Sequence, residues 1–110
     1  MSEPFREITV DELESLVAGG ARLVDVREPD EYAAGHVPGA RLVPLGEVPA
    51  RVADCVEGGG TTYLICRSGG RSATACQHLA GLGLDVVNVA GGTMAWIMSG
   101  RPVVEGDSPT

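Results

Sequence analysis

Lysine is absent from this 110-residue sequence: all eight basic residues are arginine, set against fifteen carboxylates for a formal net charge of −7. A chain this acidic does not hold a phosphate backbone over a broad face, and no stretch interleaves basic with aromatic residues, so no nucleic-acid partner is expected. Aromatics are scarce: Phe5, Tyr32, Tyr63 and Trp96 make up 4% of the chain, which leaves the core to small aliphatics. No long apolar run occurs, and the N-terminal stretch carries Glu3, Glu7, Asp11, Glu12 and Glu14. Neither a membrane span nor a signal peptide is therefore expected, and a cytoplasmic location follows as the default. Cysteine is limited to Cys55, Cys66 and Cys76, an odd number spaced by eleven and ten residues. That spacing suits neither a disulfide framework nor a zinc site, and at least one thiol is free.

Glycine, by contrast, is in surplus. Sixteen glycines are about twice the usual share of ~7%, which places much of the backbone in turns or in close approach to something. The length matches one domain over 1–110, with a core at about 7–104 and a polar tail, 105–110, that is expected to fray. Thr9 followed by Glu12 is a capping box, and Val10, Leu13, Leu16 and Val17 line one face, so a helix starts near Val10 and stops at Gly19-Gly20. Leu23-Val24-Asp25-Val26 reads as a strand apolar on both faces, with Asp25 the exception. Pro29 opens a short helix closed by Gly35, Pro38-Gly39 marks a turn, Arg41-Leu42-Val43 is a brief strand, and 47–56 is weakly helical. The β-branched run Thr61-Thr62-Tyr63-Leu64-Ile65 forms a strand ending at Cys66. After the loop from Cys66 to Ser72 a helix runs to about Leu82, then come a strand from Asp85 to Val89, a Gly91-Gly92 turn and a short helix over 93–99. Strands alternate with helices from end to end, which predicts an α/β domain with a central, mostly parallel sheet and helices on both faces.

The stretch that carries chemistry is Cys66-Arg67-Ser68-Gly69-Gly70-Arg71-Ser72. In open parallel sheets ligands bind beyond the carboxyl ends of the strands, and Cys66 stands at such an end. Gly69 and Gly70 let successive amides turn inward, and the following helix adds its orphan N–H groups and the positive end of its dipole. The result is an anion cradle with a sulfur at its floor. A thiol there, close to Arg67 and Arg71, is expected to be partly thiolate at neutral pH, and thiolate is the nucleophile. A buried core cysteine is the bland alternative, and it is the reading given to Cys76, which shares a helix face with Leu79 and Ala80. Cys55 could act as a resolving thiol for an oxidised Cys66.

These residues resemble the rhodanese family of sulfurtransferases over nearly the whole chain. The resemblance rests on Val24-Asp25-Val26-Arg27-Glu28 with Glu31-Tyr32, on Gly35-His36-Val37-Pro38-Gly39-Ala40, on the loop from Cys66 to Ser72, and on Asn88-Val89, Gly91-Gly92, Ala95-Trp96 and Gly100-Arg101-Pro102. It implies a rhodanese-like α/β domain in which Cys66 takes a sulfane sulfur from a small anionic donor such as thiosulfate. The resulting persulfide then passes the sulfur to a thiophilic acceptor: cyanide, a thiol or a protein thiol. No metal or organic cofactor is implied. Arg71 is expected to tie the loop together while holding the donor, Arg67 to stand at the pocket mouth, and Ser68 and Ser72 to donate hydroxyl hydrogen bonds to the persulfide. Asp25, with Arg27 as its neighbour, is expected to support the loop. His36 is tempting as a general base, but in the family this stretch is a structural turn, and an ionised thiol needs no base.

Two other classes share part of this pattern. Cysteine-dependent phosphatases and arsenate reductases also cradle an anion between Cys, amides and Arg, but with one residue more than the four that separate Cys66 from Arg71 here. Their preceding His is replaced by Ile65. A non-catalytic rhodanese-like module for sensing or docking commonly lacks the cysteine, which this chain keeps.

Overall fold

Capping chemistry starts the first helix where the sequence places it: the Glu12 amide donates to Thr9 Oγ1 at 3.2 Å, and the Thr9 amide donates to the Glu12 carboxylate at 3.3 Å. The computed structural model describes residues 4–110. Its elements run β1 (Arg6–Ile8), α1 (Val10–Ala18), β2 (Arg22–Asp25), α2 (Pro29–Ala34), β3 (Arg41–Leu42), a 3-10 turn (Leu45–Ala50), α3 (Val52–Val56), β4 (Thr62–Ile65), α4 (Gly70–Gly81), β5 (Val86–Val89) and α5 (Gly92–Met98).

The five strands form one sheet in the order β1-β5-β4-β2-β3, and every pairing is parallel. All carboxyl ends therefore lie along one edge. From β2 the chain winds outward to β3, and from β4 it winds the other way through β5, so the two halves part between β2 and β4. That is where a doubly wound sheet opens a crevice. The register sets Asp25 beside Ile65, which brings the end of β2 next to Cys66.

Side chains alternate across the sheet as strand geometry demands. Val24, Leu64 and Cys66 face a layer built with Val48, Cys55, Ala75, Cys76 and Leu79, while Leu23, Ile65 and Val89 face Val10, Leu13, Tyr32 and Trp96. Both faces are thus covered by helices, which explains why the strands read as continuous apolar runs.

Three expectations need correction. Strand β1 has no counterpart in the sequence reading, because Arg6-Glu7-Ile8 is short and its edge position needs no apolar run. The weak helix over 47–56 is two pieces, a 3-10 turn containing Pro49 and then α3, since Pro49 cannot donate within a continuous helix. The tail is not frayed. Val104 and His36 exchange backbone hydrogen bonds at 2.8 and 2.9 Å, Gly106 N–H donates to Ala33 C=O at 2.8 Å, and Gly39 N–H donates to Pro109 C=O at 3.0 Å. Backbone pairing, invisible in a polar sequence, holds the tail against α2 and the turn that follows it.

Candidate active site

The loop after β4 is shorter than its sequence suggests. Helix α4 already begins at Gly70, with Gly69 in a left-handed conformation at φ 113° as its cap. Arg71 and Ser72 therefore belong to the first helical turn, and the connection from Cys66 is only Arg67-Ser68-Gly69.

Amides face the sulfur because the carbonyls are held elsewhere. Thr93 donates to Cys66 C=O from both its amide, at 2.9 Å, and its hydroxyl, at 3.0 Å, and the Met94 amide donates to Arg67 C=O at 2.9 Å. In a trans peptide N–H and C=O point opposite ways, so anchoring these carbonyls on α5 turns the Ser68 amide toward the thiol. The Gly69 amide donates to Cys66 Sγ at 3.1 Å, and the Ser72 hydroxyl lies 3.4 Å from it. That hydroxyl is shared with Gly69 C=O at 3.3 Å, and its single proton serves one acceptor at a time. Burial alone would push the Cys66 thiol up. Hydrogen bonds from the Ser72 hydroxyl and from the Ser72, Gly69 and Ser68 amides outweigh burial and bring it below an ordinary thiol.

Neither of the other cysteines shares this setting. Cys55 and Cys76 are fully buried in the apolar layer. Burial pushes the Cys55 thiol up and the Cys76 thiol to about 12, the environment of inert packing residues.

The arginines divide their work differently from expectation. Arg71 does not turn its fork to the cradle: it holds Glu31 of α2 bidentately at 2.7 and 2.9 Å, and the guanidinium keeps that carboxyl at about 2. It thereby braces the first turn of α4 against α2. Arg67 is exposed at the pocket mouth and has no hydrogen-bonded or ionic partner among the described residues. Each of the other seven arginines has one. Ser68 contributes its amide, and its side chain is exposed. Gly70 starts α4, with open space where a Cβ would stand.

Asp25 is fully buried and accepts hydrogen bonds from Arg27, with Nε at 3.0 Å, Nη2 at 2.8 Å and the Arg27 amide at 3.1 Å. Nη2 also donates to Gly35 C=O at 2.9 Å. These bonds fix the β2–α2 connection, and the Asp25 carboxylate makes none to the cysteine loop. His36 is buried, stacks on Tyr32 with ring centroids 3.6 Å apart, and sets its ring nitrogens 2.8 Å from the carbonyls of Tyr32 and Ser108. It ties the turn to the tail, in keeping with a structural role.

Four contributors escaped the sequence reading. Glu31 anchors Arg71, Asn88 donates to Gly69 C=O at 3.2 Å, and Thr93 and Gly92 form the α5 clamp. Gly92, at φ 60°, packs so closely that a Cβ there would stand 2.5 Å from Arg67 O and 2.6 Å from Cys66 O. Placing Gly91-Gly92-Thr93 at the carboxyl end of a parallel strand was the available signal, but as a turn it gave no hint of what the turn touches.

A thiol that accepts hydrogen bonds from the amides of the loop after β4, set at the crevice of a parallel α/β sheet, defines the class of site: a cysteine loop at the carboxyl end of a strand. Comparison with known proteins narrows this to one family. The rhodanese-like domain model matches residues 9–99, and the chain belongs to that family. It is 39% identical over 80 residues to the putative sulfurtransferase YtwF of Bacillus subtilis, covering 73% of this chain and 77% of that one. It is 35% identical to the thiosulfate sulfurtransferase GlpE of Pseudomonas entomophila, covering 87% of each. Among solved structures, a rhodanese-related protein from Thermoplasma volcanium superposes with a TM-score of 0.83 at 34% identity, covering 91% of this chain and 98% of that one. Among the described residues no helix is long and apolar enough to cross a membrane.

Proposed function

We propose that this chain is a sulfurtransferase that carries a sulfane sulfur on Cys66. The observation that supports this best is the amide cradle, with Gly69 N–H at 3.1 Å from a thiol whose acidity is raised by its hydrogen bonds.

With thiosulfate as donor, the Cys66 thiolate attacks the outer sulfur. A bond forms between Sγ and that sulfur, the bond between the two donor sulfurs breaks, and its electron pair leaves with sulfite. Cys66 keeps the transferred sulfur as a persulfide anion, and the Ser68, Gly69 and Ser72 amides serve the terminal sulfur as they served the thiolate. An acceptor such as cyanide or a thiolate then attacks the terminal sulfur, and the pair of the S–S bond returns to Sγ. No base is required, because both nucleophiles are anions, and no cofactor takes part. Arg67, which has no hydrogen-bonded or ionic partner among the described residues, attracts the donor, while Arg71 and Glu31 hold the helix turn that carries Ser72. GlpE, a thiosulfate sulfurtransferase by name, makes thiosulfate the first donor to try.

Covalent sulfur transfer in two half-reactions requires ping-pong kinetics. Varying thiosulfate at several cyanide concentrations is expected to give parallel double-reciprocal lines. Intersecting lines, or turnover of an aryl phosphate in place of thiosulfate, would overturn the reading.

A further inference from the structure

Strand β5 is buried along its whole length, and beside Val86, Val87 and Val89 it carries one amide side chain, Asn88, 1% exposed. A buried amide in an apolar strand costs free energy unless it is hydrogen-bonded. Its Nδ2 donates in two directions, to the Glu7 carboxylate at 2.8 Å and to Gly69 C=O at 3.2 Å, and Glu7 stands opposite Asn88 in the β1 to β5 register. These two acceptors fix which way the amide faces, although Oδ1 is thereby left buried with no donor among the described residues. Flipping the amide would set that oxygen against a carboxylate and a carbonyl, so the orphaned oxygen is the lesser penalty. The consequence falls on Gly69 C=O. A carbonyl oxygen offers two lone pairs, and three donors approach this one: the Ala73 amide at 3.1 Å, Asn88 Nδ2 at 3.2 Å and the Ser72 hydroxyl at 3.3 Å. Of the three, the Ser72 hydroxyl has the Cys66 sulfur as its alternative, at 3.4 Å.

We infer that Asn88, held by Glu7, is a positioning residue for the Cys66 thiolate: with the Ala73 amide it fills both lone pairs of Gly69 C=O and so leaves the Ser72 proton to the sulfur. The inference rests on the sulfurtransferase reading and adds to that site a residue that touches neither the sulfur nor a donor. Burial raises the Cys66 thiol, and foremost among the hydrogen bonds that outweigh burial is that of the Ser72 hydroxyl. Where that one proton points therefore sets how much nucleophile is present. Without Asn88 Nδ2 a lone pair of Gly69 C=O stands open, the Ser72 hydroxyl turns to it, and the sulfur meets the hydroxyl oxygen instead of its proton. The thiol then rises toward its ordinary value. Glu7 is exposed on the edge strand, and its negative charge by itself disfavours a thiolate. Whatever help Glu7 gives the sulfur comes through the amide it holds.

The test measures the pKa of Cys66 from the pH dependence of its alkylation by iodoacetamide, followed by mass at the Cys66 peptide, with a thermal melt of each variant. Asn88→Leu, close to isosteric and without donors, is expected to raise that pKa by about 1, the scale of one hydrogen bond, and Ser72→Ala to raise it similarly. The double variant is expected to rise no further than Ser72→Ala alone, because without the hydroxyl Asn88 has nothing to direct. Glu7→Gln and Glu7→Ala both remove the charge, but only glutamine keeps an oxygen for Asn88 Nδ2, so the alanine variant is expected to have the higher Cys66 pKa of the two. Thiosulfate loading should follow the thiol: in Asn88→Leu about tenfold slower than native at a pH below both pKa values, and nearly equal above both. A native pKa in Asn88→Leu, or effects of Asn88→Leu and Ser72→Ala that simply add, would overturn the inference, since either shows that Asn88 does not act through the hydroxyl. Should Asn88→Leu melt below the assay temperature, the Glu7 variants decide, and equal pKa values in the two overturn it. Alkylation reads the thiol without any sulfur donor, so the two readings fail separately. Sulfur loading of the native protein beside any of these overturning results leaves the sulfurtransferase reading intact, and failure of thiosulfate to load a Cys66 of the expected acidity overturns that reading alone.

Discussion

Serine in place of Cys66 is expected to abolish sulfur transfer, lowering kcat/KM on the order of 10⁴-fold or more, the scale on which loss of a covalent nucleophile is felt. The argument is chemical before it is structural. A serine hydroxyl stays protonated in a cradle that brings a thiol below its ordinary range, and its oxygen cannot hold a sulfane sulfur as a persulfide. The fold should survive the change. Cys66 ends β4, the exchange is nearly isosteric, and the Gly69 amide and Ser72 hydroxyl that met sulfur remain to meet the hydroxyl. Initial rates with thiosulfate and cyanide, beside a thermal melt of the same sample, separate the two effects. A folded Cys66→Ser protein retaining a tenth of the native rate would move the chemistry to another group, with Cys55 and Cys76 the remaining thiols, both buried in the core.

Alanine at Gly92 is expected to do comparable harm without touching the thiol. The added Cβ would stand 2.5 Å from Arg67 O, 2.6 Å from Arg67 C and 2.6 Å from Cys66 O. These are backbone atoms that cannot swing aside as a flexible side chain would, and the backbone at φ 60° is itself unfavourable for a residue with a Cβ. Relief requires α5 to lift from the loop, which breaks the bonds from Thr93 and Met94 to the Cys66 and Arg67 carbonyls. Freed peptides can rotate, the amides lose their aim, and the thiol drifts up toward an ordinary one. We expect a loss of about 3 kcal/mol or more in denaturant unfolding and a fall in transfer rate larger than the change in folded fraction explains. Gly20→Ala is the control, because Gly20 also has positive φ, at 87°, but nothing lies within 4 Å of its Cβ position. Its cost should be limited to backbone strain, about 1–2 kcal/mol, with transfer unchanged. Equal losses at the two positions would show that the α5 contact does not set the cradle.

How far the sequence could be read is clear from these same residues. Short apolar and β-branched runs, a capping box and glycine stops are local signals, and they place α1, α2, β2, β4 and β5 within a residue or so, while α4 begins earlier than read, at Gly70. The cysteine loop is also local, since a strand, a thiol, two glycines and a helix start are adjacent in the chain. What escaped is whatever depends on distant segments meeting. Arg71 and Glu31 are forty residues apart, and nothing near Arg71 shows that its fork is spent on a carboxylate of α2 rather than on a donor. Asn88 reaches Gly69, and α5 clamps the Cys66 carbonyl, only because β5 lies beside β4. β1 joins β5 as an edge strand too short to announce itself. The tail reads as polar and loose, yet its backbone groups find partners on α2 and the turn after it.

The central claim is that Cys66 stores a sulfur atom, and intact mass spectrometry tests it most directly. After incubation with thiosulfate and removal of excess donor, the protein is expected to gain the mass of one sulfur atom. The gain should disappear on adding cyanide, with thiocyanate released in equal amount, and should be absent from Cys66→Ser. A native protein whose mass is unchanged by thiosulfate, or an adduct that persists in Cys66→Ser, would contradict the account.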